Sequence, residues 1–92
     1  MKGGNVNDFI NTLSLGMELE FTYNGQTFLI EGDSDETGWS AGLVRLDPPA
    51  EDYIWFAKGP TMLDLTEKFL KAEIFDDKNF WQVEKDIEWI DG

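Results

Sequence analysis

Carboxylates are the one kind of reactive side chain that this sequence supplies in quantity. Nineteen Asp and Glu stand against seven Lys and Arg, with no His and no Cys. The lack of Cys removes disulfides, thiolate metal sites and cysteine nucleophiles. The lack of His removes both the commonest general base and the commonest metal ligand. Two carboxylate arrangements are left. Glu18 and Glu31, which the hairpin described below sets opposite each other, are a pair of the kind that does acid and base work in glycosidases. Asp33, Asp35, Thr37 and Gly38 stand at positions one, three, five and six of a calcium-binding loop of the EF-hand type.

Neither arrangement completes its chemistry. With nineteen acids in 92 residues some pair must fall close, a domain this small leaves little room for a substrate cleft, and Ser14, Ser34 and Ser40 have no His to activate them. The twelfth position of the loop is Val44, where calcium requires a bidentate Glu. The sequence therefore predicts a non-catalytic protein with no metal and no cofactor. A weak cation or small-ligand module at Asp33 to Gly38 stays open as an alternative.

The charge balance says more about partners. A formal charge of −12 disfavours direct binding to nucleic acid or to an anionic membrane, both of which reward Lys and Arg; it favours a basic protein. Between Lys2 and Arg45 seven acids occur and no base, so those acids find no partner in their own half of the chain. The N-terminal MKGGNVNDF has no apolar run of the signal-peptide kind and no segment approaches the roughly 20 apolar residues that span a bilayer, so a cytoplasmic protein is expected. Leu, Ile, Val and Phe make up more than a quarter of the chain, above the roughly 20% below which charged chains stay unfolded, which predicts one folded domain over residues 1–92.

The element that must position these groups is a hairpin from Met17 to Gly32. Asn24-Gly25 is the preferred pair for a type I′ turn, since both central residues need φ > 0. A two-residue loop fixes the register: Leu19 faces Ile30, Phe21 faces Phe28, Tyr23 faces Gln26. One face then carries Leu19, Phe21, Tyr23, Phe28 and Ile30 and must be buried; the other carries Glu18, Glu20, Thr22, Thr27, Leu29 and Glu31. Around the hairpin, Val6, Phe9, Ile10 and Leu13 predict a helix capped by Asn5 or Asn7 and ended by Gly16. Gly32 to Gly38 reads as an acidic loop, Trp39 to Leu46 as a third strand, and Tyr53 to Lys58 as a fourth. Thr61 caps a helix with Met62, Leu65, Phe69 and Leu70 on its apolar stripe. On its outer side Asp64 with Lys68 and Glu67 with Lys71 stand at ion-pair spacing. Asp76-Asp77-Lys78 is a turn. The last segment, Asn79 to Asp91, has helical spacing and a capping box of Asn79 with Gln82; the competing possibility is a helix ending near Asp86 followed by a strand from Ile87 to Ile90. The fold class expected is α+β in two layers: an N-terminal helix, a four-stranded antiparallel meander and one or two C-terminal helices.

The second hairpin face is the candidate site. Directly opposed Glu18 and Glu31 repel, and Arg45 is the one base in the strand region able to relieve them. If Ile54 and Phe56 face the core, Tyr53 and Trp55 join Glu18, Glu20, Leu29 and Glu31, and the parity of the third strand could bring Arg45 with Leu43 to the same side. Aromatic residues and Arg are enriched at binding hot spots, and an antiparallel sheet often leaves one face bare. The alternative is that the C-terminal helix covers this face and makes Tyr53 and Trp55 ordinary core.

The run Phe21-Thr22-Tyr23-Asn24-Gly25, with Phe80-Trp81-Gln82-Val83 and Ile87-Glu88-Trp89 near the end, resembles short acidic proteins of Gram-positive bacteria known chiefly as uncharacterised families. That resemblance implies a bacterial context and no catalytic residues. In charge alone the chain is similar to small acidic inhibitors of basic enzymes. The sequence thus predicts binding of a basic protein partner through Glu18, Glu20, Glu31, Asp33, Asp35, Glu36, Tyr53 and Trp55, with a homodimer across the bare face as the structural alternative.

Overall fold

Asn24 and Gly25 take φ values of 51° and 75°, as a type I′ turn demands. The strands they join, β1 (Leu19–Tyr23) and β2 (Gln26–Asp35), pair in the register expected, Leu19 with Ile30 through Tyr23 with Gln26. The structure is a computed structural model that describes residues 1–92. It continues through β3 (Gly38–Asp47) and β4 (Trp55–Gly59) and closes with β5 (Glu88–Asp91). All neighbours are antiparallel and the spatial order is β4-β3-β2-β1-β5.

Four strands in a meander are as expected; the fifth is a correction. Asn79 and Gln82 form the capping box, but the helix they open, α3, runs only from Phe80 to Val83, passes into a 3-10 turn at Glu84–Asp86, and gives way to β5 on the free edge of β1. The shorter-helix alternative for this segment is the one the chain adopts. A strand here satisfies the backbone groups that β1 would otherwise leave unpaired.

The Gly32 to Gly38 segment differs too. Rather than an acidic loop it is strand almost to its tip, with Gly32 opposite Ala41, Asp33 opposite Ser40 and Asp35 opposite Gly38. Glu36 and Thr37 alone make the turn. Pairing with β3 overrides the poor strand propensity of Gly and Asp.

Helices α1 (Val6–Ser14) and α2 (Met62–Lys71) form where their caps place them. Asn5 accepts from the amides of Asn7 and Asp8, and Thr61 accepts from the amide of Asp64. The ion pairs expected along α2 do not close: the one ion pair within 4.0 Å joins the Met1 amino group to Glu84. Phe9 and Leu13 of α1, Met62, Leu65 and Phe69 of α2 and Phe80 of α3 pack with Leu19, Phe21, Ile30 and Leu43 in one cluster of 17 buried residues. All three helices therefore lie on one face of the sheet. No helix is long and apolar enough to cross a membrane.

Candidate binding face

The face of the sheet turned away from the helices is bare, and its side chains follow from the register. Across β1, β2 and β3 run Glu20, Leu29 and Val44; across β2, β3 and β4 run Glu31, Gly42 and Phe56; the next row is Asp33, Ser40 and Lys58. On the far side β5 sets Asp91 opposite Glu20 and Glu88 opposite Thr22. Leu29 and Val44 are half-buried by their neighbours in the sheet and stand outside the core cluster. Glu18, Glu20, Leu29 and Asp91 line one shallow depression of this face. Of the residues expected here, Glu18, Glu20, Glu31, Asp33, Asp35 and Tyr53 lie on or beside it, and exposed Glu36 sits at the tip of the β2–β3 turn.

Trp55 does not lie there. It pairs with fully buried Leu43 and its ring meets Phe69 at 5.6 Å, so it faces the helices. The alternation expected from Tyr53 onward fails because the ladder begins only at Trp55. Tyr53 precedes it, and Ile54 and Trp55 both pack on the core side. Phe56 takes the outward position instead, 48% exposed, with the half-exposed Tyr53 ring 5.2 Å away. Gly42 makes this possible. A Cβ there would lie 2.5 Å from Cε1 of Tyr53, so the tyrosine ring rests where a side chain on β3 would stand.

Arg45 is also placed differently. It pairs with Phe28 and so belongs to the helix-covered side, where its Nε donates to the Pro48 carbonyl at 2.8 Å and its Nη1 to Oε1 of Gln26 at 3.1 Å. It relieves none of the outer acids. No Lys or Arg nitrogen comes within 4.0 Å of any carboxylate in the chain. The repulsion of Glu18, Glu20 and Glu31 is met by water and screening alone.

Asp33 and Asp35 do not converge as calcium ligands would. They stand two apart on one side of β2, and Oδ1 of Asp35 is turned to its own turn, where it accepts from the Thr37 hydroxyl at 2.6 Å and the Thr37 amide at 2.8 Å. The hydroxyl, then the amide, hold this carboxyl below its ordinary pKa, with Lys58 adding a weaker pull.

Missed by the sequence were Phe56, Glu88 and Asp91. The last two were concealed by the helical spacing of Phe80, Val83 and Ile87, although the alternation of Ile87 and Trp89 signalled the strand.

A separate polar contact ties two turns together on the core side. Asp76 and Asp77 both adopt positive φ, 55° and 64°, and Oδ2 of Asp76 accepts from the Tyr23 hydroxyl at 3.3 Å and from Nδ2 of Asn24 at 3.4 Å. Burial first, and then the Asp76 carboxylate, raise the Tyr23 pKa above its ordinary value. The unfolded chain therefore loses this proton first, from about pH 10 upward, and stability falls as pH rises through that region. Urea midpoints at about pH 8 and about pH 10.5 should fall further apart in the native protein than in Tyr23→Phe. Equal declines in the two proteins would exclude Tyr23 as the source.

Compared with family models, with curated proteins and with solved structures, the chain matches none.

Proposed function

We propose that this protein is a non-catalytic cytosolic binding protein whose bare sheet face docks a basic protein. One observation carries this: an uncovered face that holds Glu18, Glu20 and Asp91 towards one edge and Glu31 and Asp33 beside two half-exposed aromatic rings towards the other, with no Lys or Arg nitrogen within 4.0 Å of any of these acids. Such a face holds acids at the cost of its own repulsion, and a positively charged partner relieves that cost. The acids steer the encounter while Tyr53 and Phe56 supply apolar area on contact. Charge also separates this partner from a second copy, because a homodimer through the same face would oppose acids to acids.

The test uses a fluorescent ten-residue peptide of alternating Arg and Ser. It should bind at an ionic strength of about 0.01 M, where charges are felt over roughly 30 Å, and weaken at least about tenfold at 0.15 M, where screening sets in at roughly 8 Å. Amide shifts should concentrate on β1 to β4 residues of the outer face. Binding indifferent to salt, or shifts confined to the helical side, would overturn the proposal.

A further inference from the structure

Within that face, one depression differs from the rest in combining acids with aromatic rings. It is a surface cavity of about 220 Å³ lined by Glu31, Asp33, Ser40, Gly42, Tyr53 and Phe56. Its polar rim comes from β2, its floor is the backbone of β3 at Gly42, and its aromatic wall is the Tyr53–Phe56 pair, tilted at 45°. The tyrosine is seated there only because residue 42 has no side chain. The depression that holds Glu18, Glu20 and Asp91 has no aromatic ring, so the two halves of the face are chemically distinct.

We infer that this cavity receives an arginine side chain of the partner, an inference that rests on the basic-partner proposal above and gives it an anchor. The two chemical demands of the cavity are flat apolar contact on one wall and positive charge with several donors on the other. A guanidinium meets both, being planar, weakly hydrated and able to stack on a ring while its edge donates two hydrogen bonds to one carboxylate. An ammonium meets only the second, keeps its hydration shell more tightly, and has no flat face to lay against Tyr53. A neutral side chain would leave Glu31 and Asp33 desolvated without a counter-charge. Lys58 stands in the same row as Asp33 and Ser40, two strands from Asp33, but it does not line the cavity and makes no ion pair within 4.0 Å. The cavity's charge is thus free for an incoming group. Rings and acids sharing one cup is also the composition expected of a hot spot, where one buried anchor carries most of the affinity and the remaining contacts exclude water.

The probes are the capped tripeptides Gly-Arg-Gly, Gly-Lys-Gly and Gly-citrulline-Gly, titrated against the full chain while backbone amide and aromatic ring resonances are followed. The arginine peptide should shift Gly42, Tyr53 and Phe56 and bind several-fold tighter than the lysine peptide; citrulline, the same shape without the charge, should not bind. Phe56→Ala, and independently Glu31→Gln with Asp33→Asn, should each weaken the arginine peptide by about fivefold or more. Gly42→Ala should do the same by unseating the Tyr53 ring. Glu31, Asp33 and Phe56 are outside the core, whereas Gly42 is buried beneath the Tyr53 ring; circular dichroism with a thermal melt confirms that each variant is folded. Glu67→Gln, at an exposed position of α2, should leave tripeptide binding unchanged. Equal affinity for arginine and citrulline, or for arginine and lysine, would overturn the inference, as would shifts outside the cavity. The two proposals fail separately. If the ten-residue peptide binds the outer face and is indifferent to Phe56→Ala and Gly42→Ala, the arginine anchor is wrong and the basic-partner reading stands. If the tripeptide binds the cavity and the longer peptide does not use the surrounding acids, the reverse holds.

Discussion

Replacing Phe75 by Ala is expected to remove about 3–5 kcal/mol of stability, the largest loss of any single truncation outside the regular elements. Phe75 lies between α2 and α3, in neither helix nor ladder, yet it is only 1% exposed. Its ring centroid lies 5.5 Å from that of Tyr23, 5.9 Å from Phe28, 6.1 Å from Phe21 and 6.1 Å from Phe69. It thereby joins both strands of the first hairpin to α2. It also anchors the turn at Asp76 and Asp77, whose left-handed backbone costs of order 1–3 kcal/mol per residue and persists only where the surroundings hold it. Phe75 fixes one end by exchanging backbone hydrogen bonds with Lys78, and Tyr23 and Asn24 hold Asp76 from the other side. Cavity and turn should therefore fail together. For a domain of this size the loss corresponds to a fall in Tm of about 12 °C or more, measurable by thermal and urea unfolding. Leu63→Ala, at a position 57% exposed, is the control and should stay within about 0.5 kcal/mol. A loss below about 1 kcal/mol at Phe75 would mean that the rings close over the gap and that the turn stands without its anchor.

Phe75 also illustrates what could be read in the sequence. Ile74-Phe75 stands out as an apolar pair between polar runs, so burial was legible; that its ring would meet four others was not, because contacts at that separation are set by the packing of the whole. The same division runs through the fold. Asn24-Gly25, Asn5, Thr61 and the Asn79–Gln82 box are local chemistry, satisfied by the chain's own neighbours, and each forms where its residue types demand. Strand β5 is not local. Its four residues are strand because β1 has a free edge, and the helical spacing of Phe80, Val83 and Ile87 outweighs any sign of that in the sequence. Trp55 was misplaced for a related reason. Strand parity is reliable only once its phase is known, and the connection containing Pro48 and Pro49 erases the phase between β3 and β4. Arg45 keeps the correct parity with Leu43, but Leu43 itself turned out to face the helices. The acids of the hairpin were legible from register alone, since Glu18, Glu20 and Glu31 could lie only opposite the buried Leu19, Phe21 and Ile30.

Those three acids carry the second large effect. The combined variant Glu18→Lys, Glu20→Lys and Glu31→Lys should weaken the ten-residue arginine peptide by ten- to a hundredfold at low ionic strength, mostly by slowing association, while leaving the fold as stable as before or slightly more so. Both halves of the expectation follow from the same geometry. Glu20 pairs directly with Asp91, Glu18 lines the same depression as both, and Glu31 lines the neighbouring one with Asp33, so each acid has another acid nearby. Like charges so placed cost a few tenths of a kcal/mol per pair. Reversal turns the contact at Asp91 into an attraction and halves the net charge of −12, which reduces self-repulsion. A residue kept for the fold would show the opposite sign, with stability lost on replacement. A surface that is less stable with its natural residues than with their replacements, and binds only with the natural ones, is how a functional site commonly appears in stability measurements. Stopped-flow association with the peptide at about 0.01 M and about 0.15 M salt, beside urea unfolding of both proteins, decides the matter. The two association rates should converge as salt rises. A loss of more than about 1 kcal/mol in the unfolding free energy, or an unchanged association rate, would assign these acids to the fold and remove the electrostatic basis for a basic partner at this face.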